Sequence, residues 1–382
     1  MIKILHFLTD TNIGGAGKLL CNQIKNMDTS KFKIYVALPY KSALICELKS
    51  LPCTLIECEF SSDVSLSLSS IIENYEIIKQ IKPDIVHSHA SLSSRIAATI
   101  LNVPSRIFTR HCTFPIPKEM KNPIAKMLIG SANNILSTRT IAVADIVKND
   151  LISMGCTPKN ITTIINGVEP IKHLSNDEKN YIKARLGINE KDFVITILAR
   201  LKEYKGHETL LRAAKICIKN HPNFKFLIVG SGDHKNNLIF LSKELNMDEN
   251  VLFLGFCGDV THILNITDIN VNCSYGTETS SLALSEGMSL GIPSVASDYG
   301  GNSHMVKNGE NGLLFPAKNH EALAENLIRL YSDHALYKQC SNGAYRRFCE
   351  EFNAKLMSEK MMSLYKSEYR KHQKTGQIRI KI

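Results

Sequence analysis

Two glutamates eight residues apart, Glu278 and Glu286, enclose the apolar run Leu282–Leu284. They are followed by Gly287, Gly291, an apolar strand pattern over Ile292–Ala296 and the double glycine Gly300–Gly301. An ionised carboxylate accepts two hydrogen bonds at once, so each acid suits the vicinal hydroxyls of a sugar or a ribose. A helix starting between them presents open N–H groups around Ser280, Ser281 and Leu282, and such groups bind phosphate. Together these parts fit one nucleotide-sugar. The structural alternative is that Glu278 caps a core helix and Glu286 is a solvated position.

Cations stand ready upstream. Arg200 directly follows the strand pattern Val194–Leu198, and Lys205-Gly206 opens the next helix. A forked guanidinium and an ammonium five residues apart at such a turn can clamp a diphosphate; the alternative is surface charge. Gly14, Gly15 and Gly17 sit between a first strand, residues 2–8, and an apolar-periodic helix containing Leu19, Leu20 and Ile24. Glycines there let a backbone approach a ligand at a helix start. Two phosphate motifs fail: a Walker loop needs glycine at Asn12 and Ser or Thr at Leu19, and a dinucleotide fingerprint needs glycine at Leu20. Gly230 and Gly232 end one later strand pattern, and Gly255–Phe256 ends another. His87 and His89 lie near the carboxyl end of a strand, where open α/β sheets bind ligands, and His111 lies just past the next one. For any of these histidines the alternative is a hydrogen-bonded structural role, which is the favoured reading of His87.

The elements that must position these groups repeat as short apolar runs, among them Lys33–Leu38, Cys53–Cys58, Asp84–His89, Ser105–Arg110, Thr140–Ala144 and Ile161–Ile165. Helical spacing fills the gaps, as over Ile71–Ile81 and Ser93–Leu101, which predicts parallel βαβ units. With 382 residues, two domains are expected. The boundaries fall near 172, after the turn Asn166-Gly167, and near 352: an N-terminal domain over 1–172, a second over 173–352, and a final helix with a basic tail over 353–382. After His111, Ile116, Met120, Ile124, Met127 and Leu128 alternate with Lys118, Lys121 and Lys126, and Pro115, Pro117 and Pro123 interrupt them. That pattern predicts a loop with a short amphipathic segment, either a lid or a surface for membrane or acceptor.

The net charge of +10 gathers at the C-terminus, where eight Lys and Arg after residue 354 face only Glu359 and Glu368. Such a tail suits an anionic partner, although a solvated final helix reads the same way. Nucleic-acid motifs are missing. The eleven cysteines show no C-x-x-C pair or zinc spacing, which favours reduced thiols and a cytoplasmic setting. No run of 18 apolar residues is present, and the N-terminus reads as a strand rather than a signal peptide.

The stretch from Glu278 to Glu286, with Arg200, Lys205-Gly206 and the glycine turns in the same order, resembles the E-x7-E signature of retaining glycosyltransferases of family 4. The resemblance spans nearly the whole chain. It implies the GT-B fold: two Rossmann-like, doubly wound α/β domains facing across a cleft, with the last helix crossing back to the first. It also implies transfer of a sugar from a nucleotide diphosphate, a UDP-sugar before a GDP-sugar, to a hydroxyl acceptor with retained anomeric configuration. In such enzymes the acid at Glu278 contacts the donor sugar and the acid at Glu286 the ribose. Arg200 and Lys205 meet the diphosphate, and His111 reaches the transferred sugar, with His89 as second choice. Gly14 and Gly15 face phosphates and acceptor, Gly230 permits close approach, and the base lies against Gly255–Phe256. The family has Gly and an aromatic after the first acid, where this chain has Thr279 and Ser280. No D-x-D motif is present, so the expectation is no metal and no other cofactor, with the cationic pair in the metal's place. Expected partners are the nucleotide-sugar, a saccharide or lipid-linked acceptor and an anionic membrane surface, placing the protein peripherally on the inner face of a membrane in surface polysaccharide or glycolipid synthesis. The competing readings are an epimerase or hydrolase on the same fold and a non-catalytic nucleotide-sugar-binding scaffold.

Overall fold

A computed structural model describes residues 1–11, 14–59, 64–113 and 122–379. The chain forms two compact units: Met1–Gly167 with Ala354–Ile382, and Val168–Asn353. It leaves the first unit at Gly167 rather than near 172.

The first unit runs β1 (Ile2–Leu8), α1 (Gly15–Lys25), β2 (Phe32–Pro39), α2 (Ile45–Leu48), β3 (Thr54–Cys58), α3 (Leu68–Ile81), β4 (Ile85–His89), α4 (Leu92–Ile100), β5 (Ser105–Arg110), α5 (Pro123–Leu136), β6 (Arg139–Ala142), α6 (Asp145–Ser153) and β7 (Ile161–Thr163). The second continues with α7 (Asn176–Arg185), β8 (Phe193–Leu198), α8 (His207–Asn220), β9 (Phe224–Val229), α9 (Lys235–Glu244), β10 (Val251–Gly255), α10 (Thr261–Asn265), β11 (Ile269–Asn272), α11 (Leu282–Ser289), β12 (Ser294–Ser297), α12 (Asn302–Met305), β13 (Gly312–Phe315), α13 (His320–Ser332) and α14 (His334–Arg347). The final helix, α15 (Ala354–Arg379), belongs to the first unit.

Both sheets are parallel, in the orders β3-β2-β1-β4-β5-β6-β7 and β10-β9-β8-β11-β12-β13. In each, the first strand of the unit sits inside the sheet and the order reverses beside it. Helices cover both faces, so the central strands read as nearly continuous apolar runs. In the first sheet, Ile4, Leu8, Ile34 and Ile85 pack under Leu20 and Ile24 of α1 and Met361 and Tyr365 of α15. The opposite face buries Leu5, Phe7 and Val86 against Ile78 of α3 and Ala97 and Ala98 of α4. In the second sheet Ile195, Ile197, Phe226, Val271 and Val295 share a core with Leu210 and Ala214 of α8 and Leu323 and Leu327 of α13.

Two expectations change. Pro123 does not break a helix but starts one: it stands at the first position of α5, behind an Asn122 cap whose side chain accepts from the Ala125 N–H at 2.8 Å. Proline fits there because that N–H has no partner inside a helix. Residues 114–121, which hold Pro115, Ile116, Pro117, Lys118, Met120 and Lys121, lie outside the described residues. The basic tail is also less free than its composition implies. Glu368 is buried and pairs with Arg139 at 3.0 Å and Lys371 at 2.8 Å. All eleven cysteines are free thiols, six of them buried, and burial pushes Cys21 and Cys217 up to about 12. Among the described residues no helix is long and apolar enough to cross a membrane.

Candidate functional site

The predicted donor residues gather at the carboxyl edge of the second sheet. Glu278 follows β11 and is buried. Its Oε2 accepts from Lys205 Nζ at 2.8 Å, Ser274 Oγ at 2.8 Å and Asn272 Nδ2 at 3.2 Å. Oε1 has no protein partner among the described residues, so one oxygen is anchored and the other is open to a ligand hydroxyl. Burial alone would raise the Glu278 carboxyl, but the adjacent Lys205 charge and the three hydrogen bonds outweigh it and hold it below the usual carboxylate range. It is therefore ionised at neutral pH and acts only as an acceptor.

The backbone is shaped around this acid. Thr277, β-branched, takes a left-handed φ of +37°, a conformation that costs on the order of 1 kcal/mol or more and needs support from its surroundings. The double glycine packs on the two residues that follow Thr277, Glu278 and Thr279. A Cβ on Gly301 would lie 1.7 Å from the Thr279 carbonyl oxygen, and one on Gly300 2.3 Å from that of Glu278. The Gly301 N–H donates to the Glu278 carbonyl at 3.0 Å. Gly300–Gly301 thus lets a second strand exit close over the acid, a packing role that the sequence reading left unassigned.

The two cations expected to meet phosphate, Lys205 and Arg200, lie in the turn after β8. Lys205 ends a 3-10 turn, Glu203–Lys205, and Gly206 caps it at φ +73°, where a Cβ would strike the Cys273 carbonyl oxygen at 2.1 Å. That close approach brings β8 and β11 loops together and delivers Lys205 to Glu278. Arg200 is exposed and its Nη2 donates to Tyr204 Oη at 3.3 Å. The Arg200 loop lies on the glycine turn after β9: a Cβ on Gly230 would fall 1.9 Å from the Ala199 carbonyl oxygen, and the Leu201 N–H donates to Ser231 at 2.8 Å. Gly230 therefore serves backbone packing under Arg200.

At the start of α11, Ser281 is the N-cap, its hydroxyl accepting from the Leu284 N–H at 3.3 Å. Its own N–H, expected open, donates to Met305 Sδ at 3.0 Å. The N–H groups of Leu282, which was expected, and Ala283, which was not, have no partner among the described residues. Glu286 is half-buried on α11. Phe256, just past β10, is 61% exposed. Two residues that orient Glu278, Asn272 and Ser274, were not singled out from sequence; polar side chains at the carboxyl end of a strand were the available signal.

In the first unit, Gly14 caps α1 and a Cβ there would meet only ordinary contact, 3.7 Å from Asp10. Gly15 is exposed. Gly17 is tighter, 2.4 Å from Leu44, a packing constraint. His111 lies one residue past β5, and its Nε2 is 3.0 Å from His89 Nδ1. Burial lowers the His111 ring to about 4, so it is neutral at pH 7. His87 is a structural histidine, held between Tyr365 and Thr109 at 2.6 Å each.

Residues 138–347 match the family model of glycosyl transferases group 1, and residues 13–172 match that of glycosyltransferase family 4. The chain is similar to the Escherichia coli UDP-Gal:alpha-D-GlcNAc-diphosphoundecaprenol alpha-1,3-galactosyltransferase, with 28% identity over 378 residues, 95% of this chain and 96% of the relative. A Rickettsia africae glycosyltransferase shares the fold with a TM-score of 0.82 at 21% identity, over 96% of this chain and 98% of that one. Anabaena HepE, in complex with UDP and glucose, does so at 0.81 and 19% identity, over 96% and 100% of the two chains.

Proposed function

The chain belongs to the glycosyl transferases group 1 and is a glycosyltransferase with the two-domain GT-B fold, and we propose that it moves a sugar from a UDP-sugar to a hydroxyl acceptor with retention at the anomeric carbon. The observation that carries this reading is the Glu278 carboxylate, anchored through Oε2 by Lys205 at 2.8 Å and open at Oε1, eight residues before Glu286 and just before two N–H groups that have no partner among the described residues. Glu278 accepts from the sugar and Glu286 from the ribose. Arg200, Lys205 and the Leu282 and Ala283 N–H groups hold the diphosphate. As the C1–O bond to the diphosphate breaks, negative charge grows on the leaving group, and these fixed donors stabilise it without reorganising. The acceptor oxygen bonds C1 on the same face, and its proton passes to the leaving phosphate. The cationic pair serves where a metal would otherwise stand.

The test incubates the purified protein with UDP-, GDP- and ADP-sugars, with and without a lipid-diphosphate saccharide, in the presence of EDTA. The expected result is an α-linked product from an α-UDP-sugar, with chelation leaving the rate unchanged. An inverted product sinks the retaining mechanism. Free UDP with no product is the signature of a hydrolase, and tight binding without turnover that of a scaffold.

A lipid-borne acceptor calls for a membrane surface, and α5 offers one. Ile124, Met127, Leu128 and Ile135 recur at helical spacing and are 60–68% exposed. Gly130 packs on the opposite side, where a Cβ would lie 1.9 Å from the Gly155 carbonyl oxygen. An apolar stripe on a surface helix of a +10 chain suits the headgroup boundary of an anionic bilayer. The double variant Met127→Asp, Leu128→Asp should lose about ten-fold or more in binding to vesicles containing anionic lipid, with turnover on a water-soluble acceptor retained. Unchanged co-sedimentation would remove α5 from the membrane contact.

A further inference from the structure

Three buried histidines of the first unit, His6, His87 and His89, bring ring nitrogens within 4.8 Å of one another. A cation among them would displace the bond between His6 Nδ1 and His89 Nε2 at 3.1 Å and both bonds of His87. The second unit holds a site with polar groups to spare.

A cavity of about 460 Å³ lies at the amino edge of the second sheet, walled by α7, α14 and the loops that enter β11 and β12. All of its lining residues belong to the second unit. Glu278 and the two cations follow their strands, whereas Asp268 and Ile292 precede β11 and β12. Ligands of open α/β sheets ordinarily bind at the carboxyl edge. The six residues of β8 put about 20 Å of sheet between the two edges, so the cavity is separate from the donor site. Its size falls within the range of small-molecule pockets.

Some polar groups of the lining are spent on the fold. Lys183 Nζ donates to the carbonyls of Glu190 at 3.0 Å and Asp192 at 3.1 Å. Asn265 uses both ends of its amide, donating to the Lys172 carbonyl at 2.8 Å and accepting from the Leu174 N–H at 2.9 Å. Tyr337 Oη donates to the Asp268 carbonyl at 3.0 Å. Others are unspent. Asp268 Oδ2 accepts from the Val194 N–H at 2.7 Å, but Oδ1 has no partner among the described residues. Lys179 Nζ and Ser341 Oγ, which also line the cavity, have no hydrogen-bond partner among them either. Burial raises the Asp268 carboxyl, and the Val194 N–H and the nearby Lys183 and Lys179 charges offset this only in part. A half-buried carboxylate with one bare oxygen is short of donors.

These open groups select the ligand. An anion would meet Asp268, and a cation would meet Lys179 and Lys183. A neutral polyol escapes both penalties, because each hydroxyl donates as well as accepts. One hydroxyl can give its hydrogen to Asp268 Oδ1 while others accept from Lys179 Nζ and Ser341 Oγ. We propose that this cavity is a second carbohydrate site, which takes a neutral mono- or disaccharide unit at the edge of the sheet opposite the donor residues. The proposal depends on neither the donor nor the mechanism proposed above.

Saturation-transfer NMR titrations of the full-length protein test it, with glucose, galactose, N-acetylglucosamine and lactose as neutral probes and methyl phosphate and ethanolamine as charged ones. At least one neutral sugar should bind. Lys179→Met and Asp268→Asn should each weaken that binding about ten-fold, the effect of one charge-assisted hydrogen bond, with sugar transfer to a water-soluble acceptor unchanged. Asp268→Asn keeps an oxygen for the Val194 N–H. Should it still fail to fold, Lys179→Met decides alone, since Lys179 is only half-buried on α7. Sugar binding that the folded variants leave at the wild-type strength belongs to the donor site and overturns the proposal. So does the absence of binding by every neutral sugar, or tighter binding of a charged probe that the variants alter.

Discussion

Replacement of Lys205 by methionine should lower turnover by about a thousand-fold, the scale expected for a preorganised charge facing a leaving diphosphate, and should also weaken the fold. The Lys205 and Glu278 side chains are only 13% and 8% exposed. Without the ammonium, the buried carboxylate keeps only Ser274 and Asn272, and an uncompensated buried charge costs about 3 kcal/mol. The pH dependence carries the signature. In the native protein the Glu278 carboxyl is held below its ordinary value of 4.5, so its stabilisation is present above that value and is lost as pH falls through the lower folded one. In Lys205→Met, burial, the largest influence on Glu278, is opposed only by the Ser274 and Asn272 hydrogen bonds, and the expected folded value lies above the ordinary one. Stability is then present below the ordinary value and lost as pH rises through the raised one. Thermal melts of the two proteins should therefore diverge from about pH 4 toward neutrality. A constant gap across that range would show that the ion pair does not govern Glu278.

Arg200→Ala and Glu286→Ala should each remove most of the activity, about a hundred-fold to a thousand-fold, with little change in melting temperature. The contrast with Lys205 follows from position. Arg200 is exposed, and its hydrogen bond to Tyr204 is long, 3.3 Å; Glu286 is half-buried on a short helix. Each removes a side chain that is not fully buried, so the fold should tolerate both. The effects should also differ in kind. Arg200→Ala removes charge from the leaving group and should appear chiefly in kcat, whereas Glu286→Ala removes a ribose contact made equally in ground and transition states and should appear chiefly in KM. Near-normal kinetics in both variants would remove the diphosphate and ribose assignments together.

Much of the second unit's site was legible in the sequence because its parts are set by local rules. A strand that runs into Arg200, a turn that ends in Lys205-Gly206 and a helix that begins after Glu278 are each specified within about ten residues. In an open parallel sheet, all such strand ends emerge at one edge. Once the βαβ alternation was read, the cations and acids had to share that edge.

What the sequence did not disclose depends on strand order, register and the last helix. His6 looked like one more residue of an apolar first strand, since nothing local says that β1 will lie between β2 and β4. Period-two alternation puts His6 on the face of Ile4 and Leu8, and His87 with His89 on a face of their own strand. Only the pairing of two segments more than eighty residues apart makes those faces the same one. The partner of His87 comes from further still, since Tyr365 is reached across 278 residues. The sequence by itself determined which elements form and which edge binds, because periodicity, turns and helix starts are short-range. The tertiary structure alone decided which oxygen of Glu278 is anchored and which nitrogen of His111 faces His89, because hydrogen-bond direction depends on partners that the chain brings together only by folding.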